Sequence, residues 1–329
     1  MRDRARLRLV MALLVLLAAA GFLVSLLVGP ARTSVGDLWR FLAGKDREQA
    51  VIFLDLRLAR AVVAFLVGAS LALSGAILQG YFQNPMADPF VVGVSSGASL
   101  GAVLAIALGL RASFLGFSGQ SLLAFASGLG IVALVYALSQ RKGLFKIETL
   151  LLTGIAAGAL ASALTSFFLF MRSDSFDQAV FWLLGSFQLA GWTEAWAVGP
   201  WLAVCLAASL WLAKDMNLLV LGDEAAQALG CPVRPVRRAF LVVASLLASL
   251  SVSVSGIIGF VGLVVPHGVR LLIGPDHRRL FPCAALAGGT FLLYSDLVAR
   301  TILPSELPIG VITAAVGAPF FLYLLHQKR

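Results

Sequence analysis

The sequence predicts an all-α, polytopic membrane protein with about ten transmembrane helices, and three observations predict it. Hydrophobic residues fill 60% of the 329 positions and charged residues only 12%. Apolar runs of roughly twenty residues recur from end to end, each long enough to cross a hydrocarbon core of about 30 Å. Lysine and arginine are unevenly divided between alternate connections, as membrane topology requires. The formal charge of +9 therefore reports orientation and is no signal for nucleic acid.

Arg2, Arg4, Arg6 and Arg8 precede a first span near 9–29 and place the N-terminus in the cytoplasm. That run lacks a small-residue cleavage motif followed by a soluble domain, so it is read as a retained helix. An external connection follows to about residue 60, then spans near 61–82, 91–109, 119–139, 149–171 and 193–213. After a charged insertion, 214–238, come spans near 239–254, 259–274, 283–299 and 308–326, which return the C-terminus to the cytoplasm. Residues 1–329 thus form one membrane domain. In this topology the cytoplasmic segments hold 16 of the 25 Lys and Arg residues and the external segments nine, the expected inside-positive sense.

Small residues recur at one-turn spacing in Gly68/Ala72, Gly97/Gly101 and Gly154/Gly158, which marks faces where helix backbones approach closely. Cys205, Cys231 and Cys283 stand apart, without metal-ligand spacing, and read as packing residues. No phosphate loop, HExxH or GxSxG motif is present, so neither a catalytic residue nor a metal site is expected. Ionisable residues are scarce at span centres, with Asp296 near the external end of its helix. Ion-coupled carriers keep such groups near the midplane. A secondary, ion-coupled transporter is thus the alternative reading, and energy from a partner is the favoured one.

The 214–238 insertion contains one short helix with marked ends. Asp223 suits the N-cap and Glu224 the positive end of the dipole; Gly230 suits the left-handed position after the last turn, and Pro232 stops continuation. About two turns remain, too few to persist alone in water. Their apolar side is Ala225, Ala226, Ala228 and Leu229, a shallow face that needs something to dock against. Either the rest of the chain or a soluble partner could supply it.

Between the second and third spans, Pro85 and Pro89 forbid a continuous helix, while Asn84 and Asp88 can accept from the freed backbone amides. Pro266-His267, Arg270 and Gly274-Pro275-Asp276-His277-Arg278-Arg279 read locally as a polar cytoplasmic turn without a metal-ligand set.

In order and spacing, several blocks together resemble one family. They are Arg57-Leu58-Ala59-Arg60, Asn84 to Ala98, Asp223 to Gly230, Gly259 to Leu263 with Pro266-His267, Asp276-His277-Arg278, and Glu306 to Pro319. Over nearly its whole length the chain is similar to the permease subunit of binding-protein-dependent ABC importers for iron-siderophores, haem and vitamin B12, the type II importers.

The resemblance implies a homodimer of ten-helix subunits in a bacterial or archaeal cytoplasmic (inner) membrane, with a substrate path along the dimer axis. Two ABC ATPase subunits, which bind the ATP and Mg, would sit below; this chain would carry no cofactor. A periplasmic or lipid-anchored substrate-binding protein would dock outside. Asp223, Glu224, Ala225, Ala226, Ala228, Leu229 and Gly230 then match the helix that couples to the ATPase. Arg57, Arg60 and Arg300 match arginines that meet acidic residues of the binding protein, although Ala59 stands where proline is common. Asn84, Pro85 and Met86, with Ile147 and Glu148, match the cytoplasmic gate; Met86 replaces a common leucine and Gln83 a common basic residue. The fifth span and 177–184 would line the path. A metal chelate is the implied cargo, iron-siderophore first, with haem or cobalamin as alternatives.

Overall fold

In a computed structural model of the chain, residues 2–29, 36, 50–110, 113–114, 117–141, 144–145, 147–171 and 176–327 are described. The chain runs through α1 (Arg2–Leu27), a π-helical segment Val51–Leu58 continuing into α2 (Ala59–Tyr81), a 3-10 turn Pro89–Val92, and α3 (Val94–Ala107). It goes on through α4 (Gly119–Ser139), α5 (Ile147–Met171), α6 (Phe176–Leu183) and α7 (Trp192–Trp211). Two short helices follow, α8 (Ala213–Leu219) and α9 (Asp223–Ala228), then α10 (Val233–Ser255), α11 (Val261–Ile273), α12 (His277–Ala299) and α13 (Ile309–Gln327). Two-residue strands pair beside α4, β1 (Ser113–Phe114) with β2 (Phe117–Ser118) and β3 (Gln140–Arg141) with β4 (Leu144–Phe145). Each of the ten expected apolar segments is a helix. Among the described residues seven are long and apolar enough to cross a membrane, whereas α3, α11 and α13 are shorter apolar helices. The chain is a multi-pass membrane protein.

The bundle is built around α2. Its apolar window is 83% buried, against 67% for α10 and α12 and about one fifth for α1, α4 and α5. It touches α12, α10, α11 and α7. Glycine permits this: a Cβ on Gly68 would strike Gly288 O of α12, and one on Gly75 would strike Gly262 O of α11. The other small-residue pairs act alike, since a Cβ on Gly97 would come within 2.7 Å of Ser127 O and one on Gly154 within 2.9 Å of Val91 O.

Several hydroxyls inside the bundle are answered within their own helix. Ser251, Ser255, Thr290 and Ser295 each donate to the carbonyl one turn back. Pro266 lacks the N–H that would bond Gly262 O in α11, and Gln79 Nε2 of α2 donates there (3.3 Å) and to Leu263 O (3.0 Å).

Three boundaries differ from the sequence reading. The second span starts at Val51, not near 61; most of the 30–49 connection lies outside the described residues. Pro266, His267 and Arg270 lie within α11, which ends only where Gly274 (φ +87) donates to Arg270 O, so the polar turn is confined to Gly274–Asp276. Finally, α10 starts at Val233 and not near 239. Pro232 is its N-cap and Pro235 occupies the first turn, where a missing N–H costs nothing.

Candidate functional site

The insertion 212–232 folds back on the end of the bundle where α2 stops. Within it, α9 is a six-residue helix. The residue expected at its N-cap is corrected: Gly222 (φ +105) holds that position, and Asp223 is the first helical residue. The Asp223 side chain is drawn away by Arg237 of α10, which donates to it through Nε (3.1 Å) and Nη2. Arg237 is itself buried, lies 5.0 Å over the Tyr81 ring, and gives Nη1 to Tyr81 O (2.8 Å), one of the carbonyls left open at the end of α2. At the other end Gly230 (φ +84) donates to Gln227 O (3.0 Å) and Cys231 N–H to Ala226 O (2.9 Å), a Schellman closure.

Of the expected apolar face only Ala226 is buried against the chain. Glu224, Ala225, Ala228, Leu229 and Gly230 all point outward, with Leu229 62% exposed beside exposed Val220 and Leu221. The chain supports the helix from behind and leaves its front uncovered.

Two more clamps hold the insertion. Asn217 of α8 donates Nδ2 to Asp276 Oδ1 (2.8 Å), and its Oδ1 accepts from His277 N–H (3.0 Å) at the start of α12. Gln83 Nε2 donates to Leu219 O (2.7 Å) from a left-handed backbone position, φ +51. Burial raises the Asp276 carboxyl's pKa, but the hydrogen bonds from Asn217 and the Arg278 N–H, with Arg279 nearby, hold it below its ordinary value on balance. Sequence reasoning missed Asn217, Gln83 and Arg237 as a set. The one local signal was Asp276, whose side chain accepts from Arg278 N–H as an N-cap should.

Gln83 opens the loop that carries Asn84, Pro85 and Met86. Asn84 Oδ1 accepts from Met86 N–H (2.9 Å), and Asp88 Oδ1 from Phe90 N–H (2.8 Å), as the two prolines led us to expect. Desolvation pushes the Asp88 carboxyl up to about 6, the Phe90 N–H opposing it. Asn84 is exposed and Pro85 and Met86 half-buried. The following 3-10 turn packs on α5, which begins with half-buried Ile147 and exposed Glu148.

At the opposite end of α2 the three expected docking arginines turn inward. Arg60 donates to Asp296 Oδ1 (3.0 and 2.8 Å) and to both Glu306 oxygens (3.0 Å), and its side chain is 12% exposed. Arg300 is buried, donates to Ser25 Oγ (2.5 Å) and O (3.2 Å), and lies 3.5 Å from Asp296 Oδ2. Arg57, also buried, donates to Leu26 O (2.5 Å) and lies 5.7 Å from the Phe53 ring. Carboxylates and carbonyls of the same chain engage all three arginines.

Elsewhere, α5 and α6 present Phe167, Phe170, Phe176 and Phe181, and α13 presents Val311 and Val316, without cover from the chain.

Comparison with known proteins gives a consistent result. Residues 15–327 match the FecCD transport family. The chain is 47% identical over 286 residues to the cobalamin import system permease protein of Halobacterium salinarum, covering 87% of this chain and 76% of that one. It is 37% identical to the hemin transport system permease protein of Yersinia pestis, over 100% and 98% of the two chains. It is 38% identical to the iron(3+)-hydroxamate import system permease protein of Bacillus subtilis, over 98% and 97%. Among solved structures, an inward-facing protein described as a metal-chelate type ABC transporter superposes with a TM-score of 0.87 at 35% identity, covering 97% and 99%.

Proposed function

The chain belongs to the FecCD transport family and is the membrane permease of an ABC importer, and from that premise we propose that it works as a homodimer in the cytoplasmic membrane, moving a metal chelate inward. The α9 end faces the cytoplasm and both termini lie on that side. Two ATPase subunits, which bind ATP and Mg, seat α9 through Glu224, Ala225, Ala228 and Leu229. The observation that carries this reading is α9 itself: a helix too short to stand alone, clamped from behind and bare in front.

Nucleotide-driven movement of α9 passes to the spans through its clamps. Asn217 pulls on α12, Asp223–Arg237 on α10 and the end of α2, and Gln83 on the loop of Asn84, Pro85 and Met86, which forms the gate with Ile147 and Glu148. A second copy covers the phenylalanine-rich face of α5 and α6 together with α13, and the path runs between the copies. A substrate-binding protein docks at the Arg60 end, where the Arg60–Asp296–Arg300–Glu306 cluster holds the surface in shape. The cargo is an iron-siderophore, haem or a corrinoid.

The test is reconstitution in proteoliposomes with the cognate ATPase and binding protein, assaying uptake of cobalamin, haem and a ferric hydroxamate in turn. Uptake of one chelate that requires both partners and ATP is expected. Equal uptake without the ATPase overturns the reading and favours an ion-coupled carrier.

A further inference from the structure

A cavity of about 630 Å³ opens beside the Arg237 clamp, and it includes Arg234 and Arg238, to which coupling assigns no role. Tyr81, Tyr136, Gln140, Arg234, Arg237 and Arg238 are among its lining residues. It lies where α2 and α4 end and α10 begins, the depth of a lipid headgroup if those helices cross the bilayer. Asp223 is the one acid in its lining and is engaged by Arg237. Arg234 and Arg238 are exposed, and neither forms an ion pair among the described residues. Arg238 Nε donates to Tyr136 OH (2.7 Å), which fixes its guanidinium at the seam between α10 and α4 and leaves its terminal nitrogens open.

What lies next to the cavity decides what fits it. One turn further into the bundle from Arg238, Val242 of α10 is 63% exposed. On α4, Ala133, one turn back from Tyr136 on the same helix face, is exposed. An anion-seeking pocket thus continues into a bare apolar seam between two packed helices. A free phosphate would use the first part alone, and an acidic protein loop would leave the seam uncovered. A molecule with a phosphate head and hydrocarbon tails uses both.

We propose that this cavity binds the phosphodiester headgroup of an anionic phospholipid from the leaflet on the α9 side. Arg234 and Arg238 take the phosphate, Tyr136 and Gln140 reach the glycerol region, and the acyl chains lie along Ala133 and Val242. Basic pockets between spanning helices suit such headgroups, and each arginine near the surface adds attraction. A lipid held here rests against the residues that support α9, yet its binding does not depend on which ATPase or cargo the permease serves.

The test is native mass spectrometry of the purified full-length permease titrated with phosphatidylglycerol or phosphatidylcholine, with and without millimolar inorganic phosphate. Binding that prefers phosphatidylglycerol, that survives phosphate, and that weakens about twentyfold in an Arg234→Gln, Arg238→Gln double variant is expected. Both side chains are exposed, so the thermal unfolding midpoint should not move. Arg6→Gln, a basic residue at the same end lining a different cavity, controls for general charge and should leave binding unchanged. Equal binding of the two lipids overturns the proposal, as does displacement by phosphate, which makes the site one for a free anion. Loss of ATPase co-purification in the double variant with lipid binding intact overturns it in favour of a protein occupant.

Discussion

At one end of α2, Arg60 meets two carboxylates of its own chain, Asp296 and Glu306. At the other, Asp223 and Arg237 pair behind α9 while Glu224 and Leu229 in front of it have no cover. Both ends carry the charges and caps that make a docking site legible in a sequence, and they use them differently. Where the ions are buried, each needs its counter-ion inside the fold, since a charge stranded away from water is costly. Where a short helix is braced by a pair of which only the arginine is buried, its other residues are freed for a partner. Charge near a membrane surface is therefore ambiguous until burial is known.

The contrast can be broken most directly at Asp296. Replacing it with alanine removes the carboxylate that Arg60 and Arg300 share, leaving buried Arg300 without a counter-ion and Arg60 with Glu306 alone. The expected cost is about 3 kcal/mol or more in unfolding free energy, read from thermal unfolding in detergent. An unchanged midpoint would show the cluster to be loose and its arginines available to a partner's acids. Reversing Arg57, Arg60 and Arg300 to glutamate is no clean docking test, because it disrupts the same network.

Leu229→Arg asks the opposite question. Stability should stay within about 0.5 kcal/mol, because the side chain is exposed, while substrate-stimulated ATP hydrolysis falls about tenfold through lost ATPase contact. Wild-type stimulation would remove α9 from the coupling route. Gln83→Ala sharpens the picture further. ATPase assembly should persist, with uptake per ATP hydrolysed reduced roughly threefold to tenfold; an unaltered ratio means that the Leu219 contact carries no motion.

The smallest effect lies at Asp88. Its carboxyl is pushed up to about 6, above its unfolded value, so the folded form takes up a proton first as pH falls. Its ionised form thus weighs against the fold above pH 6, and the penalty is relieved on acidification toward 4. Infrared spectroscopy should show a carboxyl step near pH 6 that Asp88→Asn abolishes while keeping an acceptor for Phe90 N–H.

Much of this architecture was open to reading from the chain alone, because apolar length and the Gly230 cap are local signals. The start of α10 was misjudged for a related reason: Arg234, Arg237 and Arg238 have the composition of a loop. Helical geometry at a membrane edge tolerates the same residues when one of them, Arg237, finds Asp223 and Tyr81 O. Pairings across 14 and 156 positions leave no trace in a single sequence, and neither does the bond from Gln83 to Leu219. Asp296 was correctly placed near a helix end, but nothing beside it announced Arg60, 236 positions away.

The missing side chains between Gly68 and Gly288 bear on how such a bundle can move. Two rods touching main chain to main chain have no compressible layer between them, so neither can roll or slip past the other without a collision. α2 and α12 therefore travel as a single strut, and any rocking must be taken up by the helices around them, where α4 and α5 are only lightly enclosed.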